Sequence, residues 1–225
     1  MRFEDLYSNI INEYEILGDY IYKFYSQISK LKEIEIQKLF TYFPNDERFQ
    51  LLRWSLEMPK LDIFFPMFLN YSFVTLIFSI MENHIAKICD LFSEIKHIPI
   101  KSKDLRGSGF ERHIKFLERF NGFSRNDIAI WPQISNLEKI RNCIVHAFGF
   151  IDRSTDAKTI REMIKNKTYL SKEHRKNLKN DKNSSYISII KVDNEDRLFI
   201  RLGYSHVIPY YGKLFFKDLK RYLII

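Results

Sequence analysis

The sequence predicts a mainly α-helical single domain, residues 1–225, that ends in a small β-hairpin and a last helix. Three observations carry that prediction. Apolar residues recur at helical spacing through most of the first 150 positions. Alternating β-prone runs occur only late in the chain, at 186–192 and 197–202. No repeat, low-complexity tract or Pro/Gly-rich linker divides the sequence. With 225 residues and 45% apolar content, the chain can bury a full core without disulfide or metal staples.

Taken in order, Leu6, Ile10, Ile11, Tyr14 and Leu17 form one amphipathic stripe that the sequence ends at Gly18. A second helical pattern runs from about Tyr20 to Tyr42 and is broken by Pro44-Asn45-Asp46. Glu47 to Leu56 is a short helix closed near Pro59, which completes the N-terminal helices of residues 1–60. A long apolar helix then spans about Met67 to Lys96. No residue from Ile63 to Met81 is charged, nearly the length of a membrane span. Pro66, Asn70, Tyr71, Ser72 and Thr75 interrupt that run, and Ile85, Ile88 and Leu91 continue its pattern beside Glu82 and Lys87. A buried central helix, with no membrane partner, accounts for both halves.

After a Lys/Gly/Ser-rich loop at 100–109, Phe110, Ile114, Leu117 and Phe120 give a helix stopped by Asn121-Gly122. The next helix is placed at about 135–148. Ser135-Asn136-Leu137-Glu138 has capping-box spacing, Pro132 suits an earlier start, and Gly149 falls where a C-terminal cap is expected. Residues 67–149 are thus expected to form the core, followed by a basic segment at 153–183, a hairpin at 186–202 turning at Asp193-Asn194-Glu195-Asp196, and a C-terminal helix at 204–224.

The formal net charge is +8, and residues 153–183 supply most of it, with ten Lys or Arg against four Asp or Glu. Lys172, Arg175, Lys176 and Lys179 from that segment are the candidate contacts to a nucleic-acid phosphate backbone. Cys89 and Cys143 are too few and too distant in sequence for a disulfide framework. Acids at Glu4 and Asp5 stand where a secretory leader needs an apolar run, so a cytoplasmic location is expected. No P-loop, H-E-x-x-H or paired C-x-x-C motif occurs, so no cofactor or metal is assigned.

The motif that carries chemistry is Arg141-Asn142-Cys143-Ile144-Val145-His146. Fourteen Arg and six His in the chain give about 0.4 chance matches to one Arg-to-His spacing. Requiring Asn after the Arg lowers this to about 0.02. Arg106 to His113 and Arg201 to His206 satisfy the loose pattern too, but Gly107, Gly109 and Gly203 are expected to keep them off a continuous helix. At about 100° per residue, Leu137, Ile140, Ile144 and Ala147 share one face, with Arg141, Asn142 and His146 on the roughly opposite one. Asn142 and His146 are four apart, within reach for the amide to orient the imidazole.

This stretch resembles the R-x4-6-H signature of HEPN-domain ribonucleases. The resemblance runs from about Ser72 to Gly149 and takes in Met81-Glu82, Arg112, Arg119 and Trp131 ahead of the six-residue motif. It implies a HEPN-like helical bundle and a metal-independent endoribonuclease whose catalytic residues are Arg141, Asn142 and His146, with Glu82 as a further polar contributor from an earlier helix. It also implies a homodimer with a composite site, RNA as substrate, and a toxin or antiviral role in which an antitoxin protein is a possible partner. The alternative is a catalytically silent HEPN module that binds RNA or a partner protein.

Overall fold

A computed structural model of the chain describes residues 2–107, 109–179 and 186–223, the side chain of Lys179 excepted. The fold is mainly helical, with one two-stranded antiparallel sheet near its end. The helices are α1 (Phe3–Tyr42), α2 (Glu47–Pro59), α3 (Phe65–Ile95), α4 (Gly109–Asn121), α5 (Trp131–Ala147), α6 (Ala157–Asn166), α7 (Lys172–Lys179) and α8 (Leu202–Tyr222), and the strands are β1 (Ile187–Val192) and β2 (Glu195–Ile200).

The apolar α3 is the centre, packed against α1, α4, α5 and α8. Met67, Phe73, Val74, Ile77, Met81, Ile85 and Ile88 are buried along it. The segment Glu47–Ile95 is long and apolar enough to cross a membrane, and 44% of its most apolar window is buried inside the protein.

Helix boundaries differ from the sequence expectation where Gly and Pro were read as stops. Gly18 does not divide α1, which runs unbroken for 40 residues. A glycine costs only about 1 kcal/mol in a helix, and burial of Leu17 and Ile21 on either side of it outweighs that. Pro59 does not end the helical path either. A π-helical turn, Lys60–Phe64, joins α2 to α3, so Pro59 removes one bond of the ladder without ending the helical path. The last helix starts at Leu202 and takes in Gly203, where an added Cβ would overlap the Tyr186 ring.

Within its described residues, 153–179, the basic segment carries two helices, α6 and α7. Ile160 and Met163 bury one face of α6, and Leu178 anchors α7. The hairpin is as expected in kind, but its strands extend into Glu195 and Asp196. Asp193 and Asn194 both have positive φ, 51° and 65°, the requirement of a two-residue type I′ turn.

The sheet is built into the core rather than appended to it. Ile187, Leu198 and Ile200 are buried. Asn70 on α3 donates to the Ile200 carbonyl at 2.9 Å and accepts from Ser205 at 2.6 Å. Tyr71 donates its hydroxyl to the Leu198 carbonyl at 2.5 Å. Each of these groups is buried and would be costly if unpaired.

Candidate functional site

The helix bearing Arg141, Asn142 and His146 begins at Trp131, one turn before the expected start. Pro132 lies in its first turn, where the missing N–H costs nothing. Ser135 is therefore inside the helix, and its hydroxyl accepts from Lys139 at 2.9 Å instead of capping. Leu137, Ile140, Ile144 and Ala147 are buried as the periodicity predicts. The helix ends on Phe148 in the left-handed conformation, φ 51°. The N–H groups of Phe148 and Gly149 both donate to the Cys143 carbonyl. Gly149 itself has φ +80°, and a Cβ there would overlap the Tyr71 hydroxyl. Only glycine fits this exit.

Arg141 is half-buried. Its guanidinium lies 5.7 Å from the Phe78 ring centre, and its buried Nε has no hydrogen-bond partner. Nη1 donates to Asn142 Oδ1 at 3.0 Å. The Asn142 amide thus serves Arg141 and makes no hydrogen bond to His146, contrary to the pairing that their spacing suggests. His146 is exposed in the last turn, flanked by the exposed apolar residues Val145 and Phe148. Cys143 is buried, and burial pushes its thiol up to about 11. No group of three or more His, Cys, Asp or Glu that could hold a metal ion occurs among the described residues.

Glu82 is half-buried on α3 with its carboxylate against Gly109, the first residue of α4; a Cβ at Gly109 would overlap it. Negative charge is favoured at a helix N-terminus, which gives Glu82 a structural task. Glu138, three residues before Arg141, is held above the usual carboxylate range by burial, with the charges of Glu111 and Glu82 adding to the shift and Lys139 and Arg141 opposing it. His113 is buried, its Nδ1 2.8 Å from the Ser102 hydroxyl. His206 lies on α8 with a buried, unpartnered Nε2, and Arg201 stands at the N-cap of the same helix.

Sequence reasoning missed Arg197. This β2 residue is 4% exposed and fixes the end of α5. Its guanidinium carbon lies 4.5 Å from the Phe148 ring centre, 4.8 Å from Phe150, 5.7 Å from Phe68 and 5.9 Å from Tyr71. Nε donates to the Phe148 carbonyl at 3.1 Å, and Leu198 N–H donates to the Gly149 carbonyl at 2.9 Å. Burial raises the Tyr71 hydroxyl far above its ordinary range, with the Arg197 charge opposing. In the sequence Arg197 is only the first residue of the β-prone run 197–202, between Asp196 and Leu198, and nothing marks it as buried.

The basic residues do not gather around His146. Gln133 and Asn136, near the start of α5, donate to the Thr168 carbonyl at 3.3 and 3.0 Å, and Gln133 also to Leu170 at 3.3 Å. These bonds seat α7 about 20 Å along the helix axis from His146. Lys172 and Lys176 are exposed, Arg175 is half-buried, and the Lys179 side chain lies outside the described residues. Lys172 and Arg175 line a cavity of about 700 Å3 together with Gln133 and Tyr210. Beside it, the Tyr211 hydroxyl accepts from Ser171 N–H at 2.8 Å, and the Ser171 hydroxyl meets His174 Nδ1 at 2.9 Å. Burial lowers the His174 imidazole below its usual range, Glu173 opposing.

The structure therefore defines a mainly helical bundle with a hairpin that clamps the polar-faced helix α5. Comparison with protein-family models, with curated proteins and with solved structures finds no match to this chain.

Proposed function

We propose that the chain is a HEPN-type, metal-independent endoribonuclease that works as a cytoplasmic homodimer in a toxin or antiviral role, held in check by a partner protein. The observation that carries the reading is the motif Arg141-Asn142-x3-His146 on the polar face of a helix whose last turn is open to solvent at His146. Cleavage by the 2′-hydroxyl needs a base for that hydroxyl, an acid for the 5′-oxygen and positive charge on the phosphorane. One motif supplies one imidazole and one guanidinium. Two copies related by a twofold axis supply two of each around one phosphate. His146 acts as base or acid, Arg141 stabilises the phosphorane, and Asn142 orients Arg141 through the bond at 3.0 Å. The products carry a 2′,3′-cyclic phosphate and a 5′-hydroxyl.

The second reading is a catalytically silent module that binds RNA or a protein. Arg141 favours it, since one of its nitrogens is spent on Asn142 and another is buried. Incubating RNA with the purified protein and its His146→Ala variant, in chelator, decides between the two. Cleavage to cyclic-phosphate ends by the wild type alone supports the nuclease; equal cleavage by both proteins ends the assignment.

A further inference from the structure

The second half of α1 and all of α2 form an arm that reaches out from the bundle without a core of its own. No residue of α1 after Ile21 is buried, and none of α2 is. Eleven large apolar side chains between Tyr22 and Met58 are exposed, among them Tyr42 at 69%. So much apolar surface on two lone helices is a cost in water unless something covers it.

Along one flank of the arm runs a groove of about 440 Å3 whose apolar lining includes Leu31, Tyr42 and Phe65. Its charged residues are Glu35, Lys38, Arg53 and Glu57, two of each sign. Over residues 22–65, seven Lys or Arg stand against six Asp or Glu. A helix made to lie on a membrane would carry an excess of basic residues. Lys38 pairs with Glu35 and Arg53 with Glu57, so the groove carries no net charge to repel a second copy of itself in an isologous contact.

We propose that this groove takes the arm of a second copy of the chain, in a twofold dimer whose interface continues to His146. The arm contact stands by itself, and the continuation rests on the composite-site reading above. Phe65 lines the groove, and Phe68, one turn further along α3, stacks on Phe148 at 5.8 Å between ring centres. Area argues for the arm. A half-exposed large side chain offers about 100 Å2. Phe68, Val145 and Phe148 around His146 then supply about 300 Å2 of apolar surface, or about 500 Å2 in all at the usual apolar share. That falls short of the roughly 800 Å2 per partner of a stable interface. Adding Leu31, Tyr42 and Phe65 brings the strip to about 1,000 Å2.

Sedimentation at micromolar concentration tests the proposal on the wild type, on Leu31→Glu/Tyr42→Glu, on His146→Ala, and on Phe40→Glu/Leu51→Glu from the opposite flank. The wild type, His146→Ala and opposite-flank proteins are expected to be dimers. Leu31→Glu/Tyr42→Glu is expected to be a monomer with unchanged helical circular dichroism and a dimer Kd raised at least a hundredfold. Should that pair fail to fold, Tyr42→Glu alone, which alters a mostly exposed side chain, gives the same reading. A monomeric wild type, a dimer lost only through Phe40 and Leu51, or flotation of the wild type with phospholipid vesicles in place of self-association overturns the proposal. A dimer through the arm that leaves RNA intact would retain the arm and sink the nuclease reading. A Leu31→Glu/Tyr42→Glu protein that stays dimeric and cleaves RNA would do the reverse.

Discussion

Arg197 donates from its Nε to the carbonyl of Phe148, 49 residues earlier, at 3.1 Å. That bond and the four aromatic rings around the guanidinium make a buried cation the clasp on the last turn of α5. Replacing Arg197 with Ala removes a charged hydrogen bond and the aromatic contacts, an expected loss of about 3 kcal/mol. Urea unfolding measures it. Arg197→Lys keeps the charge without the planar fork and is expected to recover less than half of the loss.

His146→Ala and Arg141→Ala are each expected to abolish RNA cleavage. His146 is exposed, so its removal should leave the unfolding midpoint unchanged, whereas half-buried Arg141 should cost about 1 kcal/mol. Asn142→Ala acts only through Arg141 and should lower the cleavage rate by less than either. Single-turnover rates and melting curves on the same preparations separate the two effects.

Neutralising Lys172, Arg175 and Lys176 together should weaken RNA binding and reduce the magnitude of the log–log salt slope by about 2. Because α7 sits at the far end of α5, the cleavage rate of bound RNA should not change. Titrations between low and moderate salt, with saturating single-turnover assays, check both halves; an unaltered slope would make this an ordinary solvated helix.

Gly149→Ala is expected to destabilise the protein by about 3 kcal/mol or more, since positive φ and overlap with Tyr71 act together. Gly18→Ala is the contrast. Its Cβ meets nothing within 4 Å and its site is helical, so a gain of up to about 1 kcal/mol should appear in the same denaturation assay.

Acid should loosen the fold through His113. Burial lowers its imidazole below the ordinary value, with Arg112 adding and Asp90 opposing, so the native state resists a proton that the unfolded chain accepts. Stability is then fully present above about pH 6.5 and falls as pH drops from there towards the folded value, by at most about 1.4 kcal/mol per unit. His113→Asn should flatten that part of the stability curve between pH 7.5 and 5.

The parts of this fold that follow a period were legible in the sequence. The buried face of α5, the apolar α3 and the two strands of the hairpin repeat every 3.6 or 2 residues, and Asp193-Asn194 suits its turn chemically. What depends on tertiary contact was not legible. Whether Gly18 or Pro59 stops a helix is decided by the neighbours that bury the adjoining turns and by a π turn, and neither has a sequence mark. The helices of the basic segment were hidden because charge dominates their composition while Ile160, Met163 and Leu178 bury only one side. At the candidate site, the motif located the helix and its polar face. The partner chosen by Asn142, the clasp of Arg197 and the distance of α7 from His146 arise from packing between segments far apart in the chain.

The hairpin's place in the core also sets an order of events during synthesis. Helix α5 is made before β2, so a nascent chain that has not yet reached residue 197 carries Arg141, Asn142 and His146 with no Arg197 or Leu198 to secure Phe148 and Gly149. Its contacts to Asn70 and Tyr71 close loops of more than 120 residues, slow steps by comparison with local helix formation. Until β2 docks, the last turn of α5 lacks the contacts that fix Phe148 and Gly149, and a ribosome-bound intermediate would hold Arg141, Asn142 and His146 on a helix whose end is not yet secured.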